Sequence, residues 1–171
     1  MTFHLYIMRH AKSDWSDLDT IDFDRPINKR GRKNAKQIGQ WMLSNDRLPE
    51  KIISSPAHRA RQTTELVTKQ FNNAGSVNVL YDNDLYLASL DTLIGCIEIY
   101  KNDLNSLMLV AHNPGLDQLV DYLSSKTVNP DSSGKSMTTA NLVIFEYSDS
   151  NFVPVLDKGE IIEFIKPKKL L

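Results

Sequence analysis

The chain has 171 residues, of which 41% are hydrophobic and 24% are charged. A composition of this kind favours one globular domain over residues 1–171, with a substantial core, and excludes a largely disordered chain. The formal net charge of −1 excludes a broad basic field. We therefore expect no nucleic-acid partner and no membrane partner, and any anion site must be local.

Cys96 is the single cysteine, which rules out an internal disulfide and a cysteine-rich zinc site. It falls on the apolar face of a predicted helix, a position typical of a buried, unreactive thiol. The start of the chain shows no signal sequence, and no apolar run approaches the ~20 residues of a membrane span. We therefore expect a cytoplasmic protein, and a monomer.

The first predicted element is an apolar strand over residues 5–8, which ends abruptly in Arg9, His10 and Lys12. A histidine flanked by cations suits an anionic ligand. If this strand belongs to a parallel sheet, its carboxyl end is where ligands bind in α/β folds. The polar, aspartate-rich residues 14–24 that follow predict a loop.

The next elements alternate between helices and strands. In chain order they are a helix that follows Asn28, its candidate cap, and ends around residues 44–47, a strand over 51–54, a helix over 57–71, a strand over 77–81, a helix over 90–100 with Ser89 as its cap, a strand over 106–111 and a helix to about residue 123. This alternation predicts a three-layer α/β/α sandwich around a mainly parallel sheet.

Three strand-like stretches complete the chain, over residues 139–147, 153–156 and 161–165. Residues 157–160 have the composition of a tight turn, so we expect the last two stretches to form an antiparallel pair. These strands would supply an antiparallel edge to the sheet.

Three predicted strand ends carry histidine or arginine. Arg9 and His10 follow the first strand, Arg59 lies just past the second, and His112 follows the strand over 106–111. In a parallel sheet these ends share one edge, so the four residues form a plausible cluster. Arginine suits phosphate because its planar fork donates paired hydrogen bonds, and histidine near pH 7 is either a nucleophile or an anion ligand.

A structural role would be the simpler interpretation of a lone histidine after a strand. The joint occurrence of His10 and His112 with Arg9 and Arg59 reverses that preference. A zinc site is disfavoured, because the histidines show no paired ligand spacing and cations would stand next to the metal. We therefore expect neither a metal nor another cofactor.

Three segments resemble the signature segments of the histidine phosphatase superfamily. They are MRHAKS at residues 8–13, SSPAHRARQTTE at residues 54–65 and VAHNPG at residues 110–115. Within that superfamily, the short chain and the RHAKS variant are most similar to the SixA-type phosphohistidine phosphatases. The resemblance covers essentially the whole chain and implies a phosphoglycerate mutase-like fold.

The resemblance implies a two-step phosphoryl transfer. His10 would attack phosphorus and become transiently phosphorylated, while Arg9, Arg59 and His112 hold the phosphoryl oxygens. Water would then release phosphate. Weaker candidates for phosphate contacts are Arg25, Ser13 and Asn113.

One departure from the superfamily concerns the proton donor. Many larger members place a glutamate or aspartate in the segment that corresponds to residues 84–89, and no acid follows Leu85 here. A phosphoramidate such as phosphohistidine needs less help from an acid than an alcohol ester does. Five aspartates stay open as an acid that swings in: Asp14, Asp17, Asp19, Asp22 and Asp24.

The expected substrate is therefore phosphohistidine in a protein, such as a signalling or phosphotransfer protein phosphorylated on histidine. Phosphoserine, phosphothreonine and small phosphorylated molecules are the alternative substrates. A non-catalytic module that binds a phosphorylated partner is the alternative outside enzymology, although it would have no need of a nucleophile at His10. A mutase is disfavoured by the missing acid and the short chain.

Overall fold

The computed structural model describes residues 1–72, 74 and 76–170 and shows one six-stranded sheet. Its strands are β1 (Phe3–Arg9), β2 (Lys51–Ser54), β3 (Asn78–Tyr81), β4 (Ser106–Ala111), β5 (Leu142–Tyr147) and β6 (Glu160–Ile165). Across the sheet they follow the order β3-β2-β4-β1-β5-β6. The strands from β3 to β1 are parallel, whereas β5 and β6 run antiparallel to their neighbours.

Two pairs of helices cover the two faces of the sheet. The helices are α1 (Lys29–Ser44), α2 (His58–Lys69), α3 (Leu90–Tyr100) and α4 (Gly115–Leu123). Apolar residues of α1 and α2 share one buried cluster with Tyr6 and Met8, and those of α3 and α4 share another with Leu5 and Ile7. Alternate side chains of β1 thus enter opposite cores, which explains its continuous apolar run. The predicted three-layer α/β/α sandwich is confirmed.

Both predicted helix caps are present. The side chain of Asn28 accepts a hydrogen bond from the backbone N–H of Gly31 over 2.8 Å. The hydroxyl of Ser89 accepts one from Thr92 over 3.3 Å. Each cap satisfies a backbone donor that a helix start leaves without a partner, typically contributing about 1 kcal/mol.

The predicted strand over residues 153–156 is wrong. This segment is a turn, and β6 pairs with β5 rather than with residues 153–156. The segment is anchored by Phe152, which stacks on Tyr147 with ring centres 3.7 Å apart. Val155 and Leu156 are exposed, so their apolar character reflects neither a core position nor a paired strand.

β5 begins at Leu142, three residues later than the predicted start at residue 139. Ala140 has a φ of 61° and donates its N–H to the carbonyl oxygens of Arg9 and His10, each over 3.1 Å. The stretch before β5 is therefore folded against the end of β1 and cannot continue the ladder.

Within the part of the chain that the structure describes, no helix combines the length and apolar character needed to cross a bilayer. The six strands belong to one sheet. The assignment of residues 1–171 to one domain stays a prediction.

Candidate active site

The parallel strands β1, β4 and β2 are neighbours, so their carboxyl ends meet at one edge of the sheet. Arg9 ends β1, Arg59 lies in the first turn of α2 and His112 follows β4. Together with His10 they line a cavity of about 190 Å³. The other residues that line it are Lys12, Ser13, Trp15, Asp22, Leu87, Asn113 and Thr139.

A larger cavity of about 410 Å³ lies beside β6. Lysines and apolar side chains, among them Lys126, Lys166 and Phe164, line it. Its described lining contains neither histidine nor arginine. The residue types expected to transfer a phosphoryl group are thus concentrated in the smaller cavity.

His10 is buried, and its two ring nitrogens have different partners. Nδ1 lies 2.8 Å from the carbonyl oxygen of Ala11. Because a carbonyl oxygen only accepts, Nδ1 carries the proton and Nε2 carries the lone pair. Nε2 accepts a hydrogen bond from Nε–H of Arg59 over 3.3 Å. The lone pair therefore points towards a guanidinium that lines the cavity.

The charge state of His10 follows from its surroundings. Burial is the largest cause that holds the pKa of His10 well below its usual 6.5, and the positive charges of Arg59 and Arg9 and the neighbouring His112 act in the same direction. The hydrogen bond to Ala11 opposes them but does not reverse the shift. His10 is neutral at pH 7 and needs no deprotonation before it attacks an electrophile.

Asp22 accepts two hydrogen bonds from the guanidinium of Arg59. Nη1 of Arg59 donates to the backbone oxygen of Asp22 over 2.6 Å, and Nη2 donates to Oδ2 over 3.0 Å. The hydroxyl of Tyr86 donates to the same Oδ2 over 2.5 Å. Partial burial favours the protonated acid, but the bonds from Tyr86 and Arg59 and the Arg59 charge outweigh it and lower the pKa of Asp22. Asp22 is therefore an ionised carboxylate at the cavity.

Arg9 and His112 each hold a buried nitrogen without a partner among the described residues, Nε and Nδ1 respectively. Nη1 of Arg9 donates to the carbonyl oxygen of Met137 over 3.0 Å, and Nε2 of His112 lies 2.7 Å from the hydroxyl oxygen of Ser55. When Ser55 donates to Nε2, the proton of His112 stands on Nδ1. A bound oxyanion would supply the acceptor that both nitrogens lack.

His112 is also neutral at pH 7. Burial lowers its pKa to about 3, and the charge of Arg59 adds to the shift, while Asp22 opposes it. The permanent positive charge of the cavity therefore comes from Arg9, Arg59 and Lys12, because both histidines are uncharged in the free protein.

Two of the three weaker candidates line the cavity, Ser13 and Asn113. The side-chain amide of Asn113 donates to the carbonyl oxygen of Met137 over 2.8 Å, the same oxygen that holds Arg9. Asn113 and Arg9 thus share one backbone anchor, which fixes the wall of the cavity on that side.

Arg25 does not belong to the described lining of the cavity, and its phosphate contact stays a prediction. Its buried guanidinium stacks on Trp15, 3.7 Å from the ring centre. Its remaining partners are backbone carbonyl oxygens, at 3.4, 3.4 and 2.9 Å, of Asp14, Asp17 and Thr20. Arg25 therefore organises the loop of residues 14–24 through Nη1 and Nη2, while its Nε has no partner among the described residues.

Several residues at the cavity were not predicted from the sequence. Five aspartates were open as the acid, and of these Asp22 lies in the lining. Trp15 and Leu87 stand in irregular segments, where no periodicity signals a role. Ser55 stands within the segment that resembles the second superfamily signature, so its contact with His112 was open to prediction from that segment.

The sequence pattern of the histidine phosphatase superfamily (branch 1) matches residues 5–86. An uncharacterized chloroplastic protein of Arabidopsis thaliana is 32% identical over 131 residues. That match covers 72% of this chain and 60% of the relative, so the chain spans less than two thirds of that protein's length.

Two solved structures have the same fold as this chain. SixA from Agrobacterium tumefaciens superimposes with a TM-score of 0.81 at 26% identity, over 96% of this chain and 98% of that one. A phosphoglycerate mutase from Bacillus anthracis superimposes with a TM-score of 0.59 at 15% identity, over 87% of this chain and 89% of that one. The fold is thus phosphoglycerate mutase-like, as expected. The sequence match and the superposition on SixA together show that this chain belongs to the histidine phosphatase superfamily and is of the SixA type.

Proposed function

We propose that this protein is a metal-independent phosphatase that hydrolyses phosphohistidine in a partner protein through a phosphohistidine intermediate at His10. The observation that carries the proposal is the proton arrangement of His10. The Ala11 carbonyl holds the proton on Nδ1, while unprotonated Nε2 faces Arg59. A neutral imidazole with its lone pair beside a phosphate-binding group is prepared to attack phosphorus.

In the proposed first step, Nε2 of His10 attacks phosphorus in line while the bond from phosphorus to the imidazole of the partner breaks. The N–H of Arg59 that faces Nε2 turns to a phosphoryl oxygen, which frees the lone pair. Arg9 and His112 donate to the other oxygens from the nitrogens that lack partners in the free protein. The leaving imidazole keeps the electron pair of the broken bond.

In the second step, water attacks phosphorus and the bond to Nε2 of His10 breaks. Because Nδ1 keeps its proton throughout, the ring leaves as a neutral imidazole and inorganic phosphate is released. The two arginines and Lys12 offset the charge of the phosphoryl group in both steps, so the mechanism needs no metal.

The state of Asp22 favours a phosphoramidate over an alcohol ester. An ester oxygen gains typically ~10²–10⁴-fold in rate from a proton donor. Asp22 is ionised in the free protein and has no proton to give. Tyr86 stands where larger members of the superfamily carry an acid, and burial together with Asp22 raises the pKa of its hydroxyl. The imidazole of phosphohistidine takes up a proton on its other nitrogen before it leaves, and therefore needs neither group.

The name of the Agrobacterium relative, phosphohistidine phosphatase SixA, supports the same substrate for this chain. The proposed partner is a signalling or phosphotransfer protein phosphorylated on histidine. We propose that the reaction takes place in the cytoplasm, a reducing compartment in which a free thiol such as the buried Cys96 stays reduced.

Rapid quenching with a ³²P-labelled histidine phosphotransfer protein tests the mechanism. We expect transient label on His10 that is labile to acid and stable to alkali. His10→Ala should abolish the label and lower turnover by at least ~10³-fold. EDTA should leave turnover unchanged.

His58→Ala is the matched control, because His58 is an exposed histidine next to Arg59 in sequence. It should keep both label and turnover. Label that persists in His10→Ala would overturn the assignment of the nucleophile. Turnover of phosphoserine or of a small phosphate ester as fast as that of phosphohistidine would overturn the substrate class.

A further inference from the structure

The loop of residues 14–24 carries an unusual share of the exposed apolar surface. Four of the large hydrophobic residues that the structure leaves exposed lie within nine consecutive positions: Trp15, Leu18, Ile21 and Phe23. Leu18 and Ile21 are 81% and 65% exposed, so most of each apolar side chain is in contact with water. Clustered exposed apolar side chains mark interaction surfaces, whereas isolated ones need no explanation.

Hydrogen bonds from Arg25 hold the backbone of this exposed loop in place. Arg25, itself 5% exposed, donates to three carbonyl oxygens that recur every third residue. The residue after each of these carbonyls is apolar and exposed, in the order Trp15, Leu18 and Ile21. A buried cation thus holds the backbone inside the loop while hydrophobic side chains are left outside. A surface ordered in advance loses little entropy when it binds.

The loop is continuous with the cavity. Trp15 and Asp22 line the cavity themselves, and Leu87, which is 55% exposed, adds a further apolar side chain to the lining. The ring of Phe23 packs edge-on against Tyr86 with centres 5.0 Å apart, and Tyr86 contacts His112 in the same way at 5.6 Å. Any group that delivers a phosphoryl to His10 must therefore pass beside this loop.

We propose that residues 15–23 and Leu87 form a docking platform for the protein segment that flanks phosphohistidine in the partner. This inference rests on the proposed function and names the chemistry of the partner. The segment carries apolar side chains next to its phosphohistidine, which cover Leu18 and Ile21. It also carries lysine or arginine, because the loop holds five aspartates and no basic residue before Arg25. A small phosphorylated metabolite would leave the platform uncovered.

Three phosphohistidine compounds test the platform. The first is a peptide with leucine and lysine on both sides of phosphohistidine, the second is a peptide of equal length with serine and glutamate there, and the third is phosphohistidine with both ends capped. We expect kcat/KM for the leucine–lysine peptide to exceed that for the serine–glutamate peptide by about tenfold or more, the effect of one or two buried apolar anchors.

The double variant Leu18→Ser, Ile21→Ser removes apolar surface outside the cavity lining. It should lower kcat/KM for the leucine–lysine peptide about tenfold and change the value for capped phosphohistidine less than about twofold. The matched control is Val155→Ser, Leu156→Ser. These residues are 50% and 77% exposed and follow Phe152, which contacts Phe3 at the opposite end of β1, so this pair should change neither value.

Equal kcat/KM values for the two peptides would overturn the platform, as would an equal loss on capped phosphohistidine in the loop variant. A binding measurement separates this outcome from failure of the proposed function. In the His10→Ala background, quenching of Trp15 fluorescence should report tighter binding of the leucine–lysine peptide, lost with Leu18→Ser, Ile21→Ser. Preferential binding without turnover in the wild type would overturn the enzymatic proposal and leave the platform standing.

Discussion

At the scale of single residues, Asp22 sets a carboxylate against the guanidinium that the proposed mechanism needs for phosphate. Its Oδ2 lies 3.0 Å from Nη2 of Arg59, and its backbone oxygen takes a second N–H. The side chain of Asp22 is about half exposed, so the contact with Arg59 can open. A phosphoryl group and the carboxylate of Asp22 would therefore compete for the same donors.

Asp22→Asn tests this competition. The amide keeps an oxygen for Arg59 but removes the negative charge, so inorganic phosphate should inhibit more strongly, with its inhibition constant lowered about fivefold. The value of kcat for a phosphoramidate should change less than about threefold. Inhibition kinetics with inorganic phosphate measure the first effect, and steady-state turnover measures the second.

Asp24→Asn is the control, because Asp24 is an exposed aspartate of the same loop outside the cavity lining. It should leave the inhibition constant of phosphate unchanged. A fall in kcat of ~10²–10⁴-fold in Asp22→Asn would instead identify Asp22 as a group that transfers a proton.

The four residues Arg9, His10, Arg59 and His112 were open to prediction because each follows a strand whose apolar run is legible in the sequence. Parallel pairing then brings strand ends together without further information. The contacts of Arg25 were not open to prediction, because its partners are backbone carbonyls of an irregular loop and no sequence pattern encodes such contacts. The five aspartates lie in the same irregular loop, so the sequence did not indicate which of them lies at the cavity.

At the scale of elements, α1 approaches the end of β1 more closely than any side chain would allow. A Cβ on Gly31 would stand 2.5 Å from the carbonyl oxygen of Lys12, two residues after His10. The same carbonyl accepts from Asn28, the cap of α1, over 2.8 Å. The first turn of α1 thus braces the backbone that carries the proposed nucleophile.

Gly31→Ala should therefore push the residues after β1 away from α1. We expect a loss of about 1–3 kcal/mol in the free energy of unfolding, together with a lower kcat/KM, because His10 shifts relative to Arg59. Urea unfolding and steady-state kinetics measure the two effects. Retained stability and kinetics would show that α1 does not brace the site.

Gly95→Ala is the matched control. Gly95 lies in α3, and a Cβ there meets nothing within 4 Å. Alanine should raise the free energy of unfolding by about 0.4–1 kcal/mol, since the unfolded chain loses conformational freedom. Its kcat/KM should equal that of the wild type.

Elements with a strict apolar period were predicted within a few residues, among them α3, whose bounds and cap agree with the sequence-based prediction. The predicted strand over residues 153–156 failed because alternation of apolar residues does not reveal whether a partner strand is present. Phe152 packs beside that segment against Tyr147 and Phe3, and the hydroxyl of Tyr122 donates to the carbonyl oxygen of Val155 over 3.3 Å. Pairing in a sheet depends on distant residues, which local patterns do not contain.

At the scale of the whole molecule, the fold buries two neutral histidines at a cationic site, which costs stability in acid. The pKa of His112 is lowered to about 3, and that of His10 is also well below 6.5. Between the native pKa and 6.5, the unfolded chain binds protons that the native chain does not. The free energy of unfolding therefore rises with pH through this window and reaches its full value above pH 6.5.

Each such histidine contributes about 1.4 kcal/mol per pH unit below 6.5, so His112 alone should lower the free energy of unfolding by about 2 kcal/mol between pH 6.5 and 5. Urea unfolding at pH 7 and pH 5 measures the difference. His112→Asn removes the titrating group but keeps a polar side chain, and should show a smaller loss over the same interval. An equal loss in His112→Asn would mean that the acid sensitivity arises elsewhere and that His112 is not held neutral by its burial beside Arg59.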